Sequence, residues 1–225
     1  LIYSGLLTPQ GKYLFDFFLL KKAKDRFLID IDRNVSESFF RRLLAYRLRS
    51  DIKIEKTNYG VFVGFGNKPM NARTDPRSDK MGWRLFDFES PKDFDCLDYD
   101  KIFFDRRRIN HCIPETGIEL QPEKTFILEA GFERLSGVSF TKGCYVGQEV
   151  TAKMKHRVQP KRGLVSVELT LPVDNNSEEQ ILSGEKVVGR LFTRVKNFAI
   201  ASINYKFQNM ELVCGKAKIK SIKQH

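Results

Sequence analysis

The chain has 225 residues, 41% of them hydrophobic, with 19 Phe and a formal net charge of +11 from 39 Lys and Arg against 28 Asp and Glu. This excludes the disordered composition class and allows one large domain or two modest ones with substantial cores. The basic balance suits an anionic partner such as a polyanionic cofactor tail, RNA or an acidic protein face. The cations are scattered, however, and only "DRRRINH" (105–111) clusters them tightly.

The opening "LIYSGLLTPQGKYLFDFFLL" predicts two strands around the turn "TPQG", with Pro at the second turn position and Gly at the fourth. "RFLIDI" predicts a third strand. "SESFFRRLLAYRL" follows with Ser36 as the expected N-cap and an apolar stripe at 39, 40, 43, 44 and 48. "IKIEK" and "VFVGFG" return to strand character, and "NKPMNARTDPRSDKMG" is a long polar loop of the kind that displays binding residues. "WRLFDF" is a further strand, and helices are expected around 98–111 and 148–157. Beyond a boundary near Val158–Lys161 the texture changes. "LVSVELTL", "KVVGRLFTRV", "FAIASINYKF" and "KAKIKSI" are short strands that predict a small antiparallel barrel or sandwich. No apolar run approaches the length of a membrane span, and no secretory h-region opens the sequence. The chain starts at Leu1, inside a strand, so further natural sequence is expected ahead of it.

The four cysteines stand at 96, 112, 144 and 214 with no C-x-x-C pair and no His at finger spacing, so no metal site is expected. Few, widely spaced thiols fit a reducing compartment, and the expected location is cytoplasmic. Residues 142–150, "KGCYVGQEV", place Cys144 between Gly143 and Gly147, just ahead of the helix-forming run "QEVTAKMKHR". A thiol beside a helix N-terminus is favoured as thiolate, and Lys142 would add to this if its ammonium lies close. The alternative for Cys144 is a small buried apolar side chain. The two glycines would let the backbone bend, with Gln148 and Glu149 capping or bracing the loop.

This cysteine motif resembles the signature of the YgfZ-type folate-binding family. Its members are relatives of the glycine cleavage T-protein (aminomethyltransferase) and include mitochondrial iron–sulfur assembly factors. The segments "LLTPQGKYLFDFFL", "DPRSDKMGWRL", "RINHCIPETGIELQPEK", "LEAGFERLSGVSFTKG" and "AKMKHR" are similar to that family in the same order, over nearly the whole chain. The resemblance implies an α+β body (1–157) of two interleaved subdomains around a central folate cavity, followed by a C-terminal antiparallel β-barrel (158–225). The chain departs from the family at Cys112, where relatives commonly have Gly, and at "HRVQPKR", where a Gly-containing turn is usual.

The same resemblance assigns roles. Asp16 matches the T-protein aspartate facing the reactive region of tetrahydrofolate, where it could accept a proton or orient a carbon. Strand alternation would send Leu14, Asp16 and Phe18 to one face. Glu129 in "LEAG" matches the glutamate that pairs with the pterin, whose adjacent N–H donors suit a carboxylate. Arg73, Arg77 and Arg84 are candidates for the glutamate tail or, equally, ordinary surface charges or structural ion pairs. Lys142 and Tyr145 complete the candidate folate contacts. Because T-proteins lack the cysteine, Cys144 reads as a thiolate nucleophile or as one ligand of a cluster shared with a partner, since a full cluster usually takes four protein ligands.

Three functions follow. The first is a folate-binding accessory factor for iron–sulfur cluster assembly, acting as a monomer with iron–sulfur assembly or target proteins and affecting tRNA modification indirectly. The second is a tetrahydrofolate-dependent aminomethyl or one-carbon transferase. The third is an RNA-binding protein, motivated by the net charge and by Arg106, Arg107 and Arg108, which lacks any RNP-like aromatic motif.

Overall fold

The expected opening hairpin forms β1 (Ile2–Leu7) and β2 (Tyr13–Ala23), closed by a turn in which the Gly11 N–H donates to the Thr8 carbonyl at 2.9 Å. Gly11 takes φ +73°, a left-handed conformation that glycine adopts without steric cost. β3 (Arg26–Asp30) pairs with the other edge of β2. The protein is described by a computed structural model covering residues 1–89, 100–157, 160–173 and 179–225.

α1 (Arg33–Arg47) begins ahead of the expected cap. Asp32 is its N-cap, accepting from the Asn34 N–H at 2.8 Å, and Ser36 Oγ donates instead to the Arg33 carbonyl. Asp caps as well as Ser does, and the helix extends to the earlier signal. Its Phe39 is buried against Phe15 and Phe17, with ring centroids 5.3 and 5.2 Å away. Leu44 and Leu48 of the stripe stay exposed. "IKIEK" is irregular and not a strand. A strand needs a neighbour for its backbone groups, and among the described residues no ladder engages this segment.

β4 (Gly60–Gly64), β5 (Arg73–Thr74) and β6 (Trp83–Asp87) make a second three-stranded sheet with β6 in the middle. The polar loop between β4 and β6 carries β5 and a 3-10 turn at Asp79–Met81. α2 (Lys101–His111) ends at Cys112, which adopts φ 48°, ψ 53° and donates its N–H to the Arg108 and Ile109 carbonyls. Glycine suits that left-handed position best. α3 (Gln148–His156) follows the cysteine motif.

The barrel comprises β7 (Arg162–Leu169), β8 (Gln180–Ser183), β9 (Lys186–Val195), β10 (Phe198–Asn204), β11 (Val213–Cys214) and β12 (Ala217–Lys223). Antiparallel pairing closes it in the order β10-β7-β12-β11-β8-β9 around Val165, Val167, Ile181, Leu191 and Ile203. Of the expected boundary region, residues 158 and 159 lie outside the described residues, as does Cys96. α2 packs on the barrel through Ile109 and Cys112, which cluster with Ile200. At the same seam Arg108, 1% exposed, donates to Asp105, Glu119, Thr193 and the Ile113 carbonyl, and forms an ion pair with Glu115 at 2.7 Å. Burial depresses the Arg108 pKa, but the Glu119, Glu115 and Asp105 carboxylates outweigh it and hold the guanidinium more firmly charged.

Candidate functional site: a braced thiol loop and a buried carboxylate

Cys144 is exposed on the loop before α3, whereas Cys112 and Cys214 are buried. The loop is closed on itself. The Tyr145 N–H donates to Gln148 Oε1 at 3.3 Å, the Gln148 N–H returns to the Tyr145 carbonyl at 3.1 Å, and Thr151 Oγ1 donates to the Gly147 carbonyl at 2.9 Å. Glu149 pairs with Lys153 one helical turn on, at 2.6 Å, so Gln148 braces the loop and Glu149 braces the helix. Lys142 sets its ammonium over the Tyr145 ring, 4.8 Å from the centroid.

The two glycines of the motif differ. Gly147 has φ +83°, and a Cβ there would sit 2.6 Å from the Thr8 carbonyl oxygen and 3.0 Å from Gly11 Cα. A Cβ on Gly143 would meet open space. Of the two glycines expected to let the backbone bend, Gly147 alone combines a left-handed conformation with a close backbone approach that a side chain would block.

On β2, Asp16 is 9% exposed. Its Oδ1 accepts from Tyr13 at 2.8 Å and from Thr116 at 2.6 Å, and its Oδ2 from Tyr3 at 3.0 Å. Burial and the adjacent Asp16 charge both push the Tyr3 and Tyr13 phenols well above their ordinary range, so they stay protonated donors. The simple alternation expected for β2 is broken by a bulge between Leu6 and Leu7, opposite Tyr13–Phe15. It places Tyr13 on the same side as Asp16, and Leu14 joins Phe15 and Phe39 instead of Phe18.

Beside Asp16 lies a buried charge network. Asp75 accepts from Arg77 Nε at 3.1 Å and its terminal nitrogen at 2.8 Å, and from Arg84 Nε at 3.3 Å, while Arg84 also reaches Asp30 at 2.8 Å. Arg84 stacks over Phe18 at 3.9 Å and Arg77 at 4.8 Å. Burial raises the Asp75 pKa, yet Arg77 and Arg84 outweigh that and hold the carboxyl below its usual range. Both arginines are thus engaged by internal carboxylates, as the ion-pair alternative expected. Arg73 is exposed at the sheet edge and donates to the neighbouring Ala72 carbonyl.

Glu129 sits apart from that network, half-buried in the segment packed on the barrel, where its carbonyl accepts the Leu164 N–H at 2.9 Å. Burial raises its carboxyl pKa, partly offset by Arg162. Sequence reasoning missed Tyr3, Tyr13, Thr116 and Asp75. The available signal was two tyrosines in otherwise apolar strands, since a buried phenol usually finds a partner. It also misjudged the "RRR" cluster: Arg108 is the buried hub of the α2–barrel seam, and Arg107 lies 4.0 Å over the Phe65 ring. Two of the three cations that motivated an RNA surface therefore have internal duties.

No family model matches the chain. It is 29% identical over 199 residues to the mouse mitochondrial iron–sulfur cluster assembly factor IBA57, covering 76% of this chain and 54% of the relative. It is 27% identical over 192 residues to the IBA57 homologue of Mycosarcoma maydis (76% and 47%) and 28% identical over 198 residues to human IBA57 (76% and 54%). The chain thus spans about half the length of the curated relatives it matches. Its fold is similar to the crystal structure of the glycine cleavage system aminomethyltransferase T from Bartonella henselae. The TM-score is 0.65 at 10% identity, over 100% of this chain and 74% of that one. The expected resemblance to iron–sulfur assembly factors related to the T-protein is borne out, as is the α+β body with a C-terminal antiparallel barrel. The expected cytoplasmic location is overturned, because these relatives are mitochondrial proteins. Thiol spacing reports a reducing environment, and that is not unique to the cytosol.

Proposed function

From its homology to the IBA57 iron–sulfur cluster assembly factors, on a T-protein-like fold, we propose that this chain is a folate-binding accessory factor in iron–sulfur cluster assembly that lends Cys144 to a cluster shared with a partner protein. The observation that carries it is the contrast among the thiols: Cys144 is presented to solvent on a braced loop, while Cys112 and Cys214 are packed away. A cluster usually takes four protein ligands. Among the described residues no group of three or more His, Cys, Asp or Glu side chains is gathered that could hold a metal ion. One displayed thiol among the described residues then suits a shared site better than a resident one.

The carboxylates fit a folate. Three of the roughly four acceptor positions of the Asp16 carboxylate are filled by Tyr3, Tyr13 and Thr116, leaving room for one further donor on Oδ2. That suits orienting a ligand more than taking up a proton, and so favours the accessory role over the transferase. Glu129, partly desolvated, suits the paired N–H donors of a pterin edge. In this reading residues 1–157 form the ligand-holding body and 158–225 the barrel, the protein works as a monomer, and tRNA modification is affected only through enzymes that need clusters.

Reconstitution with iron and sulfide tests the proposal. The chain alone should stay nearly colourless, and addition of a purified cluster-scaffold protein should give a coloured complex that Cys144→Ala abolishes. A stable stoichiometric cluster on the isolated chain, or a mixture indifferent to Cys144, would refute the shared site. Calorimetry with tetrahydrofolate should show binding that weakens in Glu129→Ala, and equal affinities would remove the pterin role.

A further inference from the structure

We propose that Gly11, in the β1–β2 turn, is a positioning residue for Cys144: the hairpin turn is the platform on which the thiol loop is held. The two family-like stretches "LLTPQG" and "KGCYVGQE", far apart in sequence, interlock through their glycines. A Cβ on Gly11 would meet Val150 Cβ at 3.1 Å, the Gly147 carbonyl oxygen at 3.2 Å and Thr151 Oγ1 at 3.3 Å. A Cβ on Gly147 would in turn meet the Thr8 carbonyl oxygen at 2.6 Å and Gly11 Cα at 3.0 Å. Each glycine has a positive φ, +73° and +83°, so each is required both by its own backbone and by the other's closeness.

The contact is not incidental to the loop. The Gly147 carbonyl that faces Gly11 also accepts from both the N–H (3.2 Å) and the hydroxyl (2.9 Å) of Thr151, which is 1% exposed. Those bonds fix the start of α3, and the Tyr145–Gln148 bonds fix the residues just after Cys144. Displacing the turn therefore displaces the peptide that carries the thiol. A Cβ on Gly143, on the other flank, would meet open space, so no such interlock forms there. β2 continues from the same turn to Asp16, so one hairpin sets the place of both the thiol loop and the buried carboxylate.

The importance of this positioning rests on the shared-cluster reading, but the positioning itself is tested without it. In the whole chain, the rate of Cys144 alkylation by iodoacetamide is followed across pH by mass spectrometry of its peptide, alongside the thermal midpoint. Gly11→Ala should shift the Cys144 rate or its pH profile by about threefold or more in protein that remains folded. Gly66→Ala and Gly184→Ala serve as controls: both glycines have positive φ, +80° and +60°, with nothing within 4 Å. They should strain the backbone equally and leave Cys144 unchanged. Should Gly11→Ala fail to fold, Thr151→Val replaces it, with Thr151→Ser expected to restore the wild-type profile. A wild-type profile in folded Gly11→Ala, or in Thr151→Val where that variant stands in, overturns the inference. Formation of the coloured complex is scored separately. A shifted Cys144 profile with undiminished complex upholds the positioning and counts against the shared cluster.

Discussion

Replacing Arg108 by Ala should unfold the α2–barrel seam more readily than any exposed charge change in this protein. The guanidinium spends all five donors: Nε on Asp105, one terminal nitrogen on the Ile113 carbonyl and Glu119, the other on Asp105 and Thr193. Truncation leaves the Glu119 side chain, at 0% exposure, without its cation, and Asp105, at 11%, with the half-exposed Lys101 at 3.2 Å in place of its buried partner. Removing one partner of such a buried set costs about 3–5 kcal/mol, because the remaining charges stay desolvated. At about 2–4 °C per kcal/mol for a chain of this size, the thermal midpoint should fall by roughly 6–20 °C. Arg108→Lys keeps the charge but offers three donors from one point in place of a fork, so its loss should be intermediate. Thermal and urea unfolding of the three proteins would measure this. A loss below about 1 kcal/mol, the value of an exposed pair, or equal losses for Ala and Lys, would refute the assignment of the seam to Arg108.

Phe39→Ala removes the ring held between Phe15 and Phe17 and should cost about 3–5 kcal/mol in urea unfolding; a loss under 1 kcal/mol would mean α1 is not anchored there. Glu129 has its folded pKa raised from the ordinary 4.5 by burial, so its contribution to stability is full below 4.5 and is lost as pH rises through the folded value. Glu129→Gln should therefore be more stable than wild type at pH 7 and indistinguishable from it near pH 3; the reverse order at pH 7 would contradict the direction of the shift. Native-state alkylation should label Cys144 and spare Cys112, whose thiol is buried and pushed up to about 12, until denaturant is added. Equal native labelling of the two would refute the burial assignment.

Local signals were legible where one stretch decides its own structure. The Pro and Gly of "TPQG", four of the six barrel strands and the helix after Cys144 all follow from residues within a few positions of one another, whereas the short β8 and β11 gave no such signal. What escaped were pairings between distant stretches. "IKIEK" has strand composition but nothing beside it to complete a ladder, and composition cannot reveal a missing neighbour. The role of Tyr13 depends on a bulge at Leu6 and Leu7, which resets the alternation of β2 from the opposite strand. Arg108 looks like its two neighbours in sequence, yet helix periodicity turns it inward toward carboxylates from another segment. At the candidate site the resemblance pointed to Asp16 and Glu129, but the tyrosines and threonine that hold Asp16 lie up to 100 residues away.

The left-handed residue that ends α2 bears on how sequences like this one drift. Cys112 holds a conformation that costs a residue with a β-carbon about 1–2 kcal/mol more than glycine. Its side chain, 0% exposed, fills space shared with Ile109 and Ile200 between helix and barrel. Exchange for glycine would relax the backbone and open a void, and burial of so small a group is worth about 1–2 kcal/mol. The two penalties nearly cancel. Cysteine and glycine are then almost degenerate solutions to one geometric demand, free to interchange by neutral substitution. The sulfur at this position is a plug in a seam, with no reagent's duty to preserve it.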